Sequence, residues 1–175
     1  MTAEFVAEAA PAFDEAEFRQ AMAHLPTGVC VVAATTPSGP AGLTVGSFVS
    51  ASLDPPLVGL LVARTSSSWP RVEAARGFCV SVLDENAHHV CRRFAVSGGD
   101  KFAGITWRTS PQGAPLVEGA TAWFDCRLAA RHDAGDHWFV LAAVRDIGVS
   151  AGARPLVFCH STYRKLGDLA APGVS

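Results

Sequence analysis

Small hydroxyl side chains are concentrated in one stretch, Gly42-Leu43-Thr44-Val45-Gly46-Ser47-Phe48-Val49-Ser50-Ala51-Ser52-Leu53-Asp54-Pro55-Pro56-Leu57-Val58. Hydroxyls along an extended chain suit the binding and orientation of a flat ligand with a polar edge. Alternation sets Leu43, Val45, Val49, Ala51 and Leu53 on one face and Thr44, Gly46, Phe48, Ser50 and Ser52 on the other, which leaves Ser47 among the apolar residues. A glycine inside a strand often marks a bulge or a close backbone approach, so the chain is expected to leave strand geometry at Gly46. Thr44, Ser47 and Ser50 would then face one ligand. Taken alone, the stretch equally describes an ordinary Ser/Thr-rich edge strand.

A second group of hydroxyls, in Arg64-Thr65-Ser66-Ser67-Ser68-Trp69-Pro70, precedes a short helix. Serine hydroxyls and free N–H groups at a helix start favour an anion such as a phosphate, and a plain helix cap accounts for the same residues. His137 follows Gly135-Asp136 and precedes an apolar strand, which puts an ionisable ring at a strand mouth. The chain has no G-x-G-x-x-G after a strand, no G-x-x-x-x-G-K-[ST], no C-x-x-C and no G-x-S-x-G. His132, His137 and Cys159-His160 lack zinc-ligand spacing, and His88-His89 read as surface residues of an amphipathic helix. Hydrolytic, metal-dependent and P-loop chemistry therefore have no support.

The elements that must position these residues begin with a helix at Glu15. Asp14 and Glu17 form a capping box, Phe13 and Phe18 a hydrophobic staple, and Phe18, Met22 and Leu25 an expected buried stripe that Pro26-Thr27-Gly28 ends. Residues 28–35 read as a strand buried on both faces, Thr36 to Pro40 as a turn, and the hydroxyl stretch as the returning partner strand. Pro55-Pro56 is expected to break pairing before a strand from Leu57 to Val62. Further strands are expected at Phe78–Leu83, Ile105–Thr109, Thr121–Ala130, His137–Val144 and Pro155–His160. Asp84 should cap a helix through Ala87, Val90, Cys91 and Phe94, while Gly113-Ala114-Pro115 and Arg131 to Asp136 read as loop and polar turn. About seven strands, mostly following one another, with three short helices argue for a mainly antiparallel barrel over a doubly wound parallel sheet.

At 175 residues and 49% hydrophobic content the chain suits one domain: a loose arm at 1–12, a body at 13–166 and a mobile tail at 167–175. A net charge of -2 disfavours nucleic acid and anionic membranes as partners. No run approaches a membrane span, and the acidic start (Glu4, Glu8, Asp14) lacks the basic segment of a secretory signal. Five widely spaced cysteines read as reduced, packed thiols of a cytoplasmic protein.

Thr27-Gly28-Val29-Cys30-Val31-Val32, then Gly42-Leu43-Thr44-Val45 with Ser47-Phe48 and Ser50, then Ser52-Leu53-Asp54-Pro55-Pro56-Leu57-Val58, and later Gly135-Asp136-His137, resemble the flavin reductase-like family, from about Phe18 to Tyr163. These are NAD(P)H:flavin oxidoreductases that serve two-component flavin-dependent monooxygenases. The resemblance implies a split β-barrel, a homodimer, that reduces FAD or FMN with NADH or NADPH and releases reduced flavin to a separate oxygenase. It also implies that Thr44, Val45, Ser47 and Ser50 line the isoalloxazine ring and that Ser66, Ser67 and Ser68 meet the flavin phosphate. Ser81 stands where family members often carry Asn, Lys101-Phe102 resembles the pair on a loop closing near the flavin, and Tyr163 falls near the site. His137 matches the histidine bordering the nicotinamide. FAD is favoured over FMN, and NADH over NADPH because no arginine pair lies near His137 in the sequence. A non-catalytic flavin-binding protein on the same barrel is the alternative, and an interaction barrel without flavin the next.

Overall fold

The structure is a computed structural model and describes residues 11–167. Most of the expected arm and tail lie outside the described residues. Helix α1 (Glu15–Met22) starts with the capping box in place: Asp14 Oδ1 accepts from Glu17 N and Glu17 Oε2 accepts from Asp14 N, both at 2.9 Å. The Phe13 and Phe18 rings stack at 5.9 Å. The expected burial of its stripe is not seen, because Phe18, Met22 and Leu25 are each about half exposed. The helix is tied down at its end, where His160 N donates to Ala23 O, so capping forms the helix without a sheet face beneath it.

After the short β1 (Thr27–Gly28) come β2 (Cys30–Thr36), β3 (Gly39–Val45), β4 (Val49–Leu53), β5 (Pro56–Ala63), α2 (Trp69–Ala75), β6 (Gly77–Val82) and α3 (His88–Ala95). The chain continues through β7 (Trp107–Thr109), β8 (Pro115–Val117), β9 (Ala122–Ala134), β10 (His137–Val149), β11 (Val157–Cys159) and β12 (Thr162–Arg164). Seven strands form one antiparallel sheet in the order β3-β2-β6-β9-β10-β5-β4. Its two edge strands, β3 and β4, are neighbours in sequence, joined only through Gly46-Ser47-Phe48. The Ser47 hydroxyl bonds both Leu61 N (2.9 Å) and Leu61 O (3.1 Å), fastening the end of β3 to β5. The sheet thus curls until its margins meet without a continuous ladder, the mainly β, split-barrel architecture expected. Bulges within the β9–β10 hairpin, at Leu141/Ala142 and Val144/Asp146, assist the curvature.

Strand β2 is the centre of the core. Cys30, Val32 and Ala34 point into the barrel with Leu60, Val62, Phe78, Val80 and Val140, while Val31 and Ala33 pack outward against Leu83, Phe94 and Phe102. Alternate side chains thus serve two apolar clusters, which explains the near-continuous hydrophobic run. Burial pushes the Cys30 and Cys126 thiols up to about 12, and the cysteines are free. Inert packed thiols are the consequence.

Several boundaries differ from the sequence reading. Pro56 does not break pairing but opens β5 opposite Leu53, as its missing N–H is tolerated at a strand start. Pro115, read as loop with Gly113 and Ala114, instead opens β8, which pairs with β7, and the buried Asp125 accepts from Ser110 Oγ and Gln112 N to hold this hairpin down. Asp84 does not cap α3; it accepts from Asn86 N and bridges Pro155, and α3 starts one turn later at His88. Residues 131–134 are strand, leaving Gly135-Asp136 as a two-residue turn with Gly135 at φ +65°. Glycine at the first position of so tight a hairpin supplies the positive φ that its twist requires.

Candidate active site

Where β3 ends and β5 runs past it, a cleft of about 550 Å³ opens. Thr44, Val45, Gly46 and Ser47 form one wall, Leu61 and Ala63 another, and Ser66, Ser67, Lys101 and His137 its rim. The chain leaves strand geometry after Val45, as the glycine suggested, and a Cβ on Gly46 would sit 2.9 Å from Thr27 Oγ1. The glycine is the consequence of a close approach between two chain segments at the cleft wall. A larger cleft of about 730 Å³, lined by Ser38, Gly42, Ser68, Arg71, Phe102 and Trp107, adjoins it, and both clefts share Ser67 and Lys101.

The shared boundary is polar. Lys101 Nζ donates to Ser68 Oγ (2.9 Å) and to Phe94 O (3.0 Å), which leaves one of its three donors for a ligand. Burial lowers the pKa of this ammonium. Ser66 Oγ accepts from Trp69 N at the start of α2, a helix of seven residues whose N-cap, Ser68, makes no side-chain capping bond. An anion at this boundary therefore meets hydroxyls and a lysine more than a helix dipole.

At the far end, His137 Nδ1 lies 2.7 Å from Asp136 Oδ1. The histidine in turn holds the Asp136 carboxyl below its ordinary range, mainly through this hydrogen bond. An ionised carboxylate only accepts, so Nδ1 carries the proton and Nε2 of the neutral ring is left as an acceptor.

The family sequence profile described as "Flavin reductase like domain" matches residues 22–167, most of the chain and all of this site. The chain belongs to the flavin reductase-like family. The reductase subunit HsaB of a flavin-dependent monooxygenase from Rhodococcus jostii is 40% identical over 157 residues, 90% of this chain and 80% of that protein. The FMN reductase (NADH) SmoA of Agrobacterium fabrum is 44% identical over 127 residues, 73% of this chain and 72% of that protein. Among solved structures, the NADH:FAD oxidoreductase of Streptomyces globisporus superposes with a TM-score of 0.84 at 32% identity, over 93% of this chain and 99% of that one. The protein is an NAD(P)H:flavin oxidoreductase.

Within this flavin reductase the sequence-selected residues separate into groups. Thr44, Val45, Ser47, Ser66, Ser67, Lys101 and His137 line the first cleft, and Ser68 and Phe102 the second. Ser50 is elsewhere: β4 has crossed to the opposite sheet edge, and Ser50 lines an apolar groove with Phe48, Leu53 and Ile147. Ser81 is fully buried and accepts from Val117 N. Tyr163 approaches from behind the wall, in a side hollow with Thr27 and Gly46, and its hydroxyl contacts Cys91 Sγ at 3.2 Å. Burial, then Cys91, pushes this phenol up to about 12.

Residues the sequence reading passed over also converge here. Thr27, which the sequence places in a helix stop and at the head of the first family-like motif without a ligand role, lines the cleft, and Arg71 reaches Thr36 Oγ1 and Ser38 Oγ across the second cleft. Arg64 and Arg131, far apart in the sequence, place their guanidinium carbons 3.7 and 3.9 Å from the centroid of Trp138, the residue after His137. Two such groups cannot share one face, so they sandwich the ring. The registers of β9 and β5 against β10, which place Asp133 and Val62 opposite Trp138, bring them together.

Proposed function

We propose that this flavin reductase takes free flavin as a diffusing substrate, FAD in preference to FMN, reduces it with NADH, and supplies the product to a separate monooxygenase component. The observation that carries this reading is the pair of clefts meeting at Ser67 and Lys101, with His137 at the outer end of the first. The residues present suit a flavin. Apolar Leu43, Val45, Val62 and Phe94 offer a dry bed, Thr44 and Ser47 a polar edge, and Ser66, Ser67 and Lys101 a phosphate contact. Room beyond that contact, lined by Ser38, Arg71 and Trp107, suits the second nucleotide half that distinguishes FAD.

When bound, flavin accepts at N5 a hydride from nicotinamide C4, so the protein's task is to hold two rings in register and keep water out. Nε2 of His137 accepts from the nicotinamide carboxamide, with Asp136 fixing the ring. Hydroxyl and backbone donors at the Thr44–Ser47 wall stabilise the negative charge that grows as reduction proceeds. NADH is favoured over NADPH for a different reason from the one the sequence offered. Arg64 is paired with Asp133 and Arg131 with Glu73, so a ribose 2′-phosphate would compete with carboxylates already in place.

A homodimer is part of the same reading. It is supported by the exposure of Val49, Leu53, Ile147 and Val149 around the apolar groove, an unusual amount of apolar surface for a lone protomer. A reducing, cytoplasmic setting is supported by the buried, neutral Cys30 and Cys126 thiols. No described helix is long and apolar enough to cross a membrane.

His137→Ala tests the assignment. It should lower kcat/KM for NADH about 100-fold and change the Kd for FAD less than about twofold, measured by nicotinamide oxidation and flavin fluorescence. Equal losses in both would make His137 part of the flavin site instead.

A further inference from the structure

The turn that carries His137 is held by a residue from another strand. Arg64, the first residue after β5, donates from its backbone N to Asp136 O (3.0 Å) and from Nε to Gly135 O (2.7 Å). Its Nη2 reaches Asp133 Oδ1 at 2.5 Å, and its guanidinium plane covers Trp138, the residue after His137. One side chain thus grips the hairpin on both sides of the turn. Behind Trp138, Arg131 presses on the opposite face and is itself fixed by Glu73 of α2 through bonds of 2.8 and 2.9 Å.

We propose that Arg64 is a positioning residue for the reductase reaction, acting through His137 by clamping the Gly135-Asp136 turn and the Trp138 ring. The proposal rests on the reading of His137 given above. Backbone pairing holds the strands leading to the turn, with His137 opposite both Ala134 and Ala63 and Arg64 N bonded to Asp136 O, but the tip at Gly135-Asp136 is exposed, and the Arg64 side chain adds the contacts to Gly135 O, Asp133 and Trp138 that backbone pairing does not supply. Ion pairing between half-exposed groups adds little by itself; the side chains of Arg64 and Asp133 are 39% and 69% exposed. What Arg64 contributes is geometry, because a planar guanidinium can stack and donate in two directions at once. A small displacement of the turn moves the ring that orients the nicotinamide, while the Thr44–Ser47 wall and Lys101 stay where they are. Orientation errors of about 1 Å are sufficient to cost a large factor in rate.

The test is a double-mutant cycle on the full-length protein with Arg64→Met and His137→Ala. Arg64→Met should lower kcat/KM for NADH about 10-fold and leave the Kd for FAD within about twofold, and the loss should vanish in the His137→Ala background because both act through one group. The same 10-fold loss in both backgrounds, no loss in either, or a parallel loss of FAD affinity would overturn the proposal. A second measurement needs no turnover. In the ligand-free protein, the His137 Cε1–H resonance should shift and broaden in Arg64→Met while that of the distant His89 is unchanged, and an unperturbed His137 signal would contradict the clamp. This arm stands even if His137 proves to have no part in NADH oxidation.

Discussion

Two hollows of nearly equal size, about 550 and 540 Å³, are lined by the two halves of one continuous hydroxyl-bearing stretch. In the first, Thr44 and Ser47 stand with Ser66, Ser67, Lys101 and His137; in the second, Ser50 and Ser52 stand with Phe48, Leu53, Leu57, Phe124 and Ile147. The hydroxyls are of the same kind, but their neighbours differ. The first hollow brings a cation, a histidine and several donors to one apolar bed, whereas the second is mostly exposed hydrocarbon with Arg145 and Asp146 at its margin. The cause is the three-residue passage Gly46-Ser47-Phe48, which carries the chain from one edge of the sheet to the other. The proposed function assigns small-molecule chemistry to the first hollow and the contact between protomers to the second.

That division is open to direct attack. The largest effect should come from the apolar groove: if the proposed homodimer buries it, wild-type protein runs as a dimer in light scattering and Ile147→Asp, which places a charge in the contact, runs as a monomer. An unchanged dimer would place the subunit contact elsewhere. Next, Lys101→Met removes a charge-assisted contact worth about 2 kcal/mol, so FAD should bind roughly 30-fold more weakly by fluorescence titration. The native protein should show the same dependence on charge. Because burial lowers the Lys101 pKa, FAD affinity should already fall as pH rises through that lowered value, before an ordinary lysine would deprotonate. Binding that is flat to strongly alkaline pH would remove Lys101 from the site. The smallest effects compare the hydroxyls themselves: Thr44→Val should weaken FAD binding about fivefold and Ser50→Ala less than twofold. Equal effects would erase the distinction between the two hollows.

The barrel was legible because its evidence is local. The capping box at Asp14 and Glu17, the doubly buried β2 and the irregularity at Gly46 each follow from neighbouring residues. The exposure of Phe18 was not legible, since amphipathic spacing shows that a helix has an apolar face but not what covers it. Unbroken alternation across the stretch puts Ser50 on the face of Thr44; the sheet order, which separates β3 from β4, is a property of the whole fold. Ser81 is a strand serine in a sequence pattern that resembles a ligand contact, yet its partner is Val117 N, 36 residues away. The Arg64–Trp138–Arg131 sandwich depends on three strands in register and leaves no trace in spacing.

Under the proposed function the joined clefts reduce free flavin with a nicotinamide donor. The most direct test is the purified protein assayed in four combinations, NADH or NADPH with FAD or FMN, by loss of nicotinamide absorbance. Oxidation should require added flavin and be fastest with NADH and FAD. No flavin-dependent oxidation in any combination would contradict that function.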